Sequence, residues 1–311
     1  MKPRSSRQGF VLVAVLWLLA IFAVVALGYA RTTRFRSQEL ANEVILARED
    51  SLFRSALQMA EFHFGLFRQN RVRFLSTGLR DGFLPGQREM MWYPRHESYP
   101  LLIDDEEVFV RLEPEGARMA VASMTSERWF DVLGACGVED ETERMAIVAA
   151  ILDWQDPDSL LHIGGAEQDY YESLAVPYAC KNAPLENLEE LMLVRGITPE
   201  LFHGDGDRPG LLDFVSLEGK STMLDVNSAA PAAFRIVRGI APDEIARIVE
   251  LRRQAPILNM AEAIEDVAFS TGAEMKRFFQ ILNDTGQVRA IVSHDPDPRP
   301  GVRVATRIVK G

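Results

Sequence analysis

An unbroken apolar run from Phe10 to Ala30, entered through the basic residues Lys2, Arg4 and Arg7, is the strongest constraint this chain places on its own fold. The run carries no charged side chain. As a helix rising 1.5 Å per residue it reaches roughly 31 Å, about the hydrocarbon thickness of one bilayer. The basic end is expected on the cytoplasmic side of that membrane. Three fates fit such a segment. It can be an uncleaved signal anchor. It can be a secretory signal cut after the run, where Gly28 and Ala30 offer small residues at suitable spacing. Or a short basic leader can be removed between Gly9 and Phe10, with the apolar helix kept.

Beyond the run the chain is long enough for one large domain or two intimate ones. None of the 45 acidic residues and three of the 34 basic ones precede Ala30, which leaves 31 against 45, or −14, for the remainder. Such a surface repels nucleic acid and favours cationic partners, divalent metals among them. Two cysteines, Cys136 and Cys180, allow a disulfide in an oxidising compartment, but spacing alone does not pair them.

Helical pattern continues past the membrane segment. Leu40, Val44, Leu52, Ala56, Met59 and Phe62 or His63 recur at helical spacings, predicting one buried stripe. Two arrangements fit: a single helix from about Phe10 to Phe64, or two helices broken near Arg31 to Arg36. Gly78 to Pro100 reads as loop. Val108, Val110 and Leu112 alternate before a Pro114-Glu-Gly116 turn, and Met119 to Ala122 is expected to return as the second strand of a hairpin. Ser126 to Asp153 is helical. Leu193-Val-Arg-Gly-Ile-Thr-Pro-Glu200 is then echoed by Ile236-Val-Arg-Gly-Ile-Ala-Pro-Asp243. In each copy an apolar helix ends in glycine and the next begins near proline, with an acid in its first turn. Val288 to Val292 and Val302 to Ile308 alternate as a closing hairpin around Asp295-Pro-Asp-Pro-Arg-Pro-Gly301. The expected fold is α+β: a long N-terminal transmembrane helix packed on a small antiparallel sheet, with a large all-α insertion holding two helix–hairpin–helix-like units. The expected boundaries are a leader at 1–9, the membrane helix at 10–30, the α/β domain at 31–124 and 283–311, and the insertion at 125–282.

The densest chemistry is the cluster Asp153, Asp156, Asp158, Glu167 and Asp169, interrupted by Pro157, Gly164 and Gly165. So many carboxylates repel one another unless neutralised, and oxygen-rich loops of this kind hold hard cations such as Ca²⁺. A solvated acidic loop with helix caps is the alternative. An EF-hand is excluded, because Leu160 and Leu161 stand where an oxygen ligand and the turn glycine are needed. Asp295 and Asp297 are weaker ligand candidates. The Val-Arg-Gly-Ile units resemble DNA-binding helix–hairpin–helix modules, yet they lack the second glycine and the clustered cations that phosphates require. A membrane-anchored DNA-binding protein is thus the alternative reading of function. The five histidines are scattered, and no HExxH, GxSxG or P-loop occurs, so no enzyme is expected.

Taken in order, Gly9-Phe10, Ile151-Leu-Asp-Trp-Gln-Asp-Pro-Asp158, Gly165-Ala-Glu-Gln-Asp-Tyr-Tyr171, Tyr178-Ala-Cys-Lys-Asn-Ala-Pro184, Glu190-Leu-Met-Leu-Val-Arg-Gly-Ile197 and Asp225-Val-Asn-Ser-Ala-Ala230 resemble the minor pseudopilin K family of type II secretion systems, within the type IV pilin-like class. The resemblance implies processing by a prepilin peptidase after Gly9, with methylation of the new Phe10 amine. It implies a single pass through the inner membrane, with the bulk of the chain in the periplasm. It also implies calcium binding, and a tip position on the pseudopilus beside the I and J minor pseudopilins and above the major pseudopilin, with exported cargo as a possible contact. Most pilin-like subunits carry a glutamate at the fifth mature position, where it can pair with a neighbour's terminal amine. Here that position is Ala14, which suits a subunit with no neighbour above, since an unpaired carboxylate in lipid is costly. Glu113-Pro-Glu-Gly-Ala-Arg-Met-Ala-Val121 departs from the family's Asp-Glu-x-Gly and Asn-rich strand. Mass analysis of the chain made with and without prepilin peptidase tests the processing site: a mature form beginning at methylated Phe10 is expected, and a chain retaining Lys2 in the presence of the peptidase would sink it.

Overall fold

The structure is a computed structural model that describes residues 7–75, 86–87, 89–114, 116–205, 208–265, 267–282, 287–296 and 304–310. It forms two compact units, Met1–Arg54 and Ser55–Gly311. In chain order the elements are α1 (Arg7–Leu75), β1 (Arg95–Ile103), β2 (Glu106–Pro114), β3 (Met119–Ala120), α2 (Ser126–Ala135), α3 (Glu141–Gln155), α4 (Gln168–Glu172) and α5 (Pro199–His203). They continue with β4 (Val215–Ser216), β5 (Leu224–Asp225), α6 (Pro242–Gln254), α7 (Met260–Ile264), α8 (Phe269–Phe278), β6 (Phe279–Gln280), β7 (Gln287–Ser293) and β8 (Ala305–Lys310).

Among its described residues the first unit is helix alone. α1 runs unbroken through Arg31 to Arg36, so the two-helix alternative does not hold, and it continues past Phe64 to Leu75. Its apolar section is long and hydrophobic enough to cross a membrane, with Trp17, Phe22 and Val24 all exposed, as lipid-facing side chains would be. Ala14 is exposed on this helix as well.

In the second unit, α1 buries Ala56, Ala60, Phe64 and Phe67 on one stripe. This corrects the stripe expected from sequence. Met59 and Phe62 face outward, as do Leu40 and Val44 in the first unit, because the buried face follows Ala56 at steps of four, four and three. Arg307 of β8 reaches Glu61 of α1 at 3.5 Å.

The sheet has the order β1-β2-β7-β8, antiparallel throughout. Val108, Val110 and Leu112 of β2 and Val288, Ala290 and Val292 of β7 form its buried face. Two expectations fail here. Arg95 to Pro100 is not loop but most of β1, and Pro100 is tolerated because β1 is an edge strand. The β1–β2 turn is Asp104-Asp105, with φ of 51° and 63°, the geometry of a two-residue primed hairpin turn that Asp can adopt. Met119–Ala120 does not return alongside β2. Gly116 (φ 82°) turns the chain out of the sheet, and β3 pairs in parallel with Val215–Ser216 instead. The closing hairpin β7–β8 forms as expected, although Val302 lies outside the described residues and Val309, not Ile308, points inward.

Because β2 and β7 are sheet neighbours, the chain between them leaves the sheet and comes back to it. That segment has its own core, with Trp129, Trp154, Tyr171, Phe202, Phe214 and Phe234 all buried. The repeated motif has the same geometry twice. Short 3₁₀ helices, Leu188–Leu193 and Pro231–Ile236, lead to Gly196 (φ 86°) and Gly239 (φ 79°), then to α5 and α6. A Cβ on Gly196 would sit 2.6 Å from Ile147 Cγ1, so this turn also packs against α3. Cys136 and Cys180 are separate, buried thiols and are not bridged. Burial raises the pKa of each.

Arg252 of α6 joins this helical segment to the sheet. Its guanidinium is fully buried and donates from Nε (3.0 Å) and Nη2 (2.7 Å) to Glu97 Oε1 of β1. Nη1 donates to the carbonyls of Val226 (3.0 Å) and Ala229 (2.7 Å). The Tyr93 hydroxyl donates in turn to the Arg252 carbonyl at 2.7 Å, and Arg95 to the Arg253 carbonyl at 3.1 Å, which satisfies the end of α6. Nearby, Asp225 is buried, accepts the Leu282 N–H at 2.9 Å, and has its pKa raised by burial to about 6.

Removing one partner of a buried pair leaves an uncompensated charge, so Arg252→Ala should cost about 3–5 kcal/mol in denaturant unfolding. Arg252→Lys should not restore it, since one ammonium cannot reproduce the fork. For Asp225 the sign is the reverse of the usual carboxylate. The folded pKa lies above the unfolded value of about 3.9, so the contribution is full below pH ~4 and is lost as pH rises through ~6. Asp225→Asn should lack this pH dependence, so its stability relative to the parent should rise from pH 4 to pH 7.

Candidate functional site

The acidic cluster is built at the end of α3. Asp140 caps the start of this helix by accepting the Glu143 N–H at 2.9 Å, and the helix stops at Gln155, ahead of Pro157. Asp153, in the last turn, is fully buried. Its Oδ1 accepts the His162 N–H at 3.0 Å and its Oδ2 the Ala166 N–H at 2.8 Å, so one carboxylate folds the loop back onto the helix. His162 Nδ1 lies 2.5 Å from the same Oδ1 and 3.9 Å from Asp156 Oδ2. The hydrogen bond to Asp153, and then the Asp153 and Asp156 charges, raise the His162 pKa against a desolvation that opposes them. Asp156 and Asp158 shape the turn, with Oδ1 of each accepting an N–H two residues on, from Asp158 at 3.3 Å and from Leu160 at 2.7 Å.

Glu167 caps α4 by accepting the Gln168 N–H at 3.3 Å through Oε2. It is buried, its Oε1 has no hydrogen-bond partner, and the Asn182 side chain lies against it. Asn182 holds a left-handed φ of 46°, donates to the Asp158 carbonyl at 2.7 Å, and leaves its own Oδ1 buried without a partner. Burial, followed by the charges of neighbouring acids, raises the pKa of both Asp156 and Glu167. The site thus brings together like charges and unsatisfied buried oxygens, two costs that a bound cation relieves together.

Asp153, Asp156 and His162 present ligand atoms all within 4.8 Å of one another, and they are the metal-competent group found among the described residues. Asp153 Oδ1 and Oδ2 are already engaged, and His162 Nδ1 is committed to Asp153. The oxygens left over are Asp156 Oδ2, Glu167 Oε1 and Asn182 Oδ1, all hard donors of the type that Ca²⁺ takes. Asp169 is exposed in the first turn of α4, and Asp158 is taken up by its turn. Asp295 lies in the turn after β7, where its carbonyl accepts the Ser293 hydroxyl at 2.5 Å, and Asp297 lies outside the described residues. Sequence reading missed His162, set aside among scattered histidines, and Asn182, which stands in a quoted motif but carries no charge to mark it as a ligand.

The paired glycine turns offer phosphate little. Glu244 Oε2 accepts the Ala241 N–H at 2.7 Å, and Glu190 Oε1 accepts the N–H groups of Glu186 (3.0 Å) and Asn187 (2.9 Å). At the second turn one N–H is thus met by a carboxylate, whereas Glu190 acts at the start of the 3₁₀ helix before the first turn, whose Arg195 and Ile197 N–H groups go to the Tyr171 hydroxyl (3.4 Å) and the Val194 carbonyl (3.1 Å).

Residues 113–204, which include the whole acidic loop, match the family described as type II secretion system (T2SS), protein K. Over that stretch the chain is similar to type II secretion protein K. Curated relatives bear the same name. The protein K of Pectobacterium carotovorum subsp. carotovorum is 41% identical over 64 residues, 20% of each chain. That of Klebsiella pneumoniae is 26% identical over 144 residues, 46% of this chain and 41% of the relative. These matched stretches span less than half the length of the relatives concerned. A chain of the crystallised GspK–GspI–GspJ complex of enterotoxigenic Escherichia coli superposes with a TM-score of 0.50 at 15% identity, covering 88% of this chain and 93% of that one. At that identity the likeness speaks for the fold: the α+β arrangement extends well beyond the matched K domain.

Gly165 has no space for a side chain, because a Cβ there would fall on Asp153 Oδ2 and press on the α3 backbone at Ala149. Gly165→Ala should therefore push the loop off α3 and destabilise the protein by about 1–3 kcal/mol, read from the thermal midpoint. Gly164→Ala is no silent control, since its φ of 83° also needs glycine.

Proposed function

We propose that this protein is the K-type minor pseudopilin of a type II secretion system: a structural subunit without catalytic activity, held by α1 in the inner membrane and exposing its second unit to the periplasm. The observation that carries this reading is the coincidence of the K domain with the acidic loop, within a fold that resembles a GspK–GspI–GspJ chain along most of its length. On this reading Gly9 and Phe10 are the processing site. Ala14 leaves the span without an acidic side chain and suits the topmost position in the pseudopilus, from which the subunit helps initiate assembly. I- and J-type minor pseudopilins are its partners, with the major pseudopilin below. The DNA-binding alternative is disfavoured by the net charge of −11 and by Glu244, which takes up the Ala241 N–H of the second glycine turn.

Co-expression with the I and J minor pseudopilins of the same system tests assembly. A complex of the three that co-elutes is expected, and a K-type chain that elutes alone under every condition would overturn the reading.

Calcium belongs to the same proposal. Asp156, Glu167 and Asn182 would supply oxygen ligands, while Asp153 and His162 hold the loop in shape. The ion would neutralise the loop and add stability by linkage, about 2.7 kcal/mol at a hundredfold excess over its dissociation constant. Thermal melting in Ca²⁺ should give a higher midpoint than melting in chelator, and Glu167→Gln or Asn182→Ala should reduce the difference. Equal midpoints in Ca²⁺ and chelator would remove calcium from the account.

A further inference from the structure

The last charged residue before the apolar run is Arg7 and the first after it is Arg31, followed by Arg34 and Arg36; no acidic residue occurs until Glu39. In a chain of net charge −11 this is a concentrated basic segment. All three arginines are exposed on α1, and among the described residues none of them makes an ion pair or a hydrogen bond. At about 100° per residue, Arg34 lies about 60° from Arg31 around the helix, and Arg36 about 140° from it. The guanidinium groups therefore spread around the helix rather than lining one face. A protein partner would be met by a stripe. A ring of cations at one level of a helix is met by ligands on every side.

The neighbours fix that level. Thr32 and Thr33 turn their hydroxyls back onto the Gly28 (3.0 Å) and Tyr29 (2.9 Å) carbonyls, which keeps their polar groups satisfied where water is scarce. Tyr29 just before the arginines and Phe35 among them, both exposed, supply the amphipathic and aromatic bulk that favours the headgroup region.

We propose that Arg31, Arg34 and Arg36 form a girdle that binds the phosphate oxygens of anionic phospholipids in the leaflet where α1 leaves the membrane. The inference rests on reading α1 as a membrane span. Guanidinium groups bind phosphate with charge-assisted, often paired hydrogen bonds, and a basic residue beside an anionic surface contributes about 1 kcal/mol. The girdle has a direction. Sliding α1 deeper would carry arginines into hydrocarbon, at about 2.5–3.5 kcal/mol each on insertion scales, whereas drawing it outward only releases them to water. It resists inward movement more strongly than outward movement, which costs only the phosphate contacts.

Flotation and lipid selectivity of the full chain test this, with the chain incorporated from detergent into vesicles of phosphatidylcholine alone or of an equimolar phosphatidylcholine–phosphatidylglycerol mixture. Lipid retained on the re-extracted protein is then counted by native mass spectrometry. The parent chain should retain phosphatidylglycerol several-fold over its share of the mixture. R31Q/R34Q/R36Q should float equally well in both vesicles but lose that enrichment, and R31K/R34K/R36K should keep most of it. A parent with no enrichment, or a glutamine variant with the parent's enrichment, overturns the girdle while leaving the span intact. A chain that floats with neither vesicle overturns the span, and the girdle with it.

Discussion

The guanidinium of Arg252 is the point on which the second unit's architecture turns. Helical segment and sheet are built from different stretches of chain, with separate hydrophobic faces, and apolar contact alone would let one slide against the other. A buried fork that must satisfy Glu97 on β1 and two carbonyls at Val226 and Ala229 admits a single placement. The Tyr93 and Arg95 bonds to the end of α6 repeat the constraint from the sheet side. Directional bonds to a buried charge have sharper geometry than hydrophobic burial, and they are expensive to leave unmade. Asp225, close enough for the Arg252 charge to oppose the burial that raises its pKa, extends the same polar layer toward β6.

The acidic loop follows the same logic on a smaller scale. Asp153 spends both carboxylate oxygens on backbone N–H groups of the returning loop, and Gly165 lets that loop come near enough to be held. The carboxylate expected to lead the ligand set is the one that builds the frame. The acceptors left unmet lie around it, on Glu167 and on the uncharged Asn182.

Much of the fold is legible in the sequence because it is written in periodicity. The apolar run, the alternation in β2 and β7, and the paired glycine turns all declare themselves by spacing. β1 does not. Arg95-His-Glu-Ser-Tyr-Pro lacks apolar alternation, and as an edge strand it needs only one hydrogen-bonded neighbour. Met119–Ala120 misled for the opposite reason, being apolar enough to pair with anything nearby, so that tertiary position chose its partner, Val215–Ser216, far along the chain. On α1, several apolar residues fit a helical stripe, and only the sheet's position decides that Ala60 and Phe64 are buried while Met59 and Phe62 are not. At the site, charge density marked the loop, but neither charge nor spacing could mark Asn182 or separate a framing carboxylate from a free one.

The adjacency of β2 and β7 has a consequence for how the chain is made. β2 pairs on one side with β1, which is complete within a short hairpin, and on the other with β7, which is synthesised only after the whole helical segment. Until then β2 is an open edge with a hydrophobic face, a template for pairing with other chains. Contacts of such long sequence separation form late and slowly. The helical segment, with a core of its own, is placed to fold during that wait and to deliver β7 to its neighbour. The interval between β2 and β7 is therefore when a nascent chain of this kind is most exposed to aggregation, and an early-folding insertion shortens it.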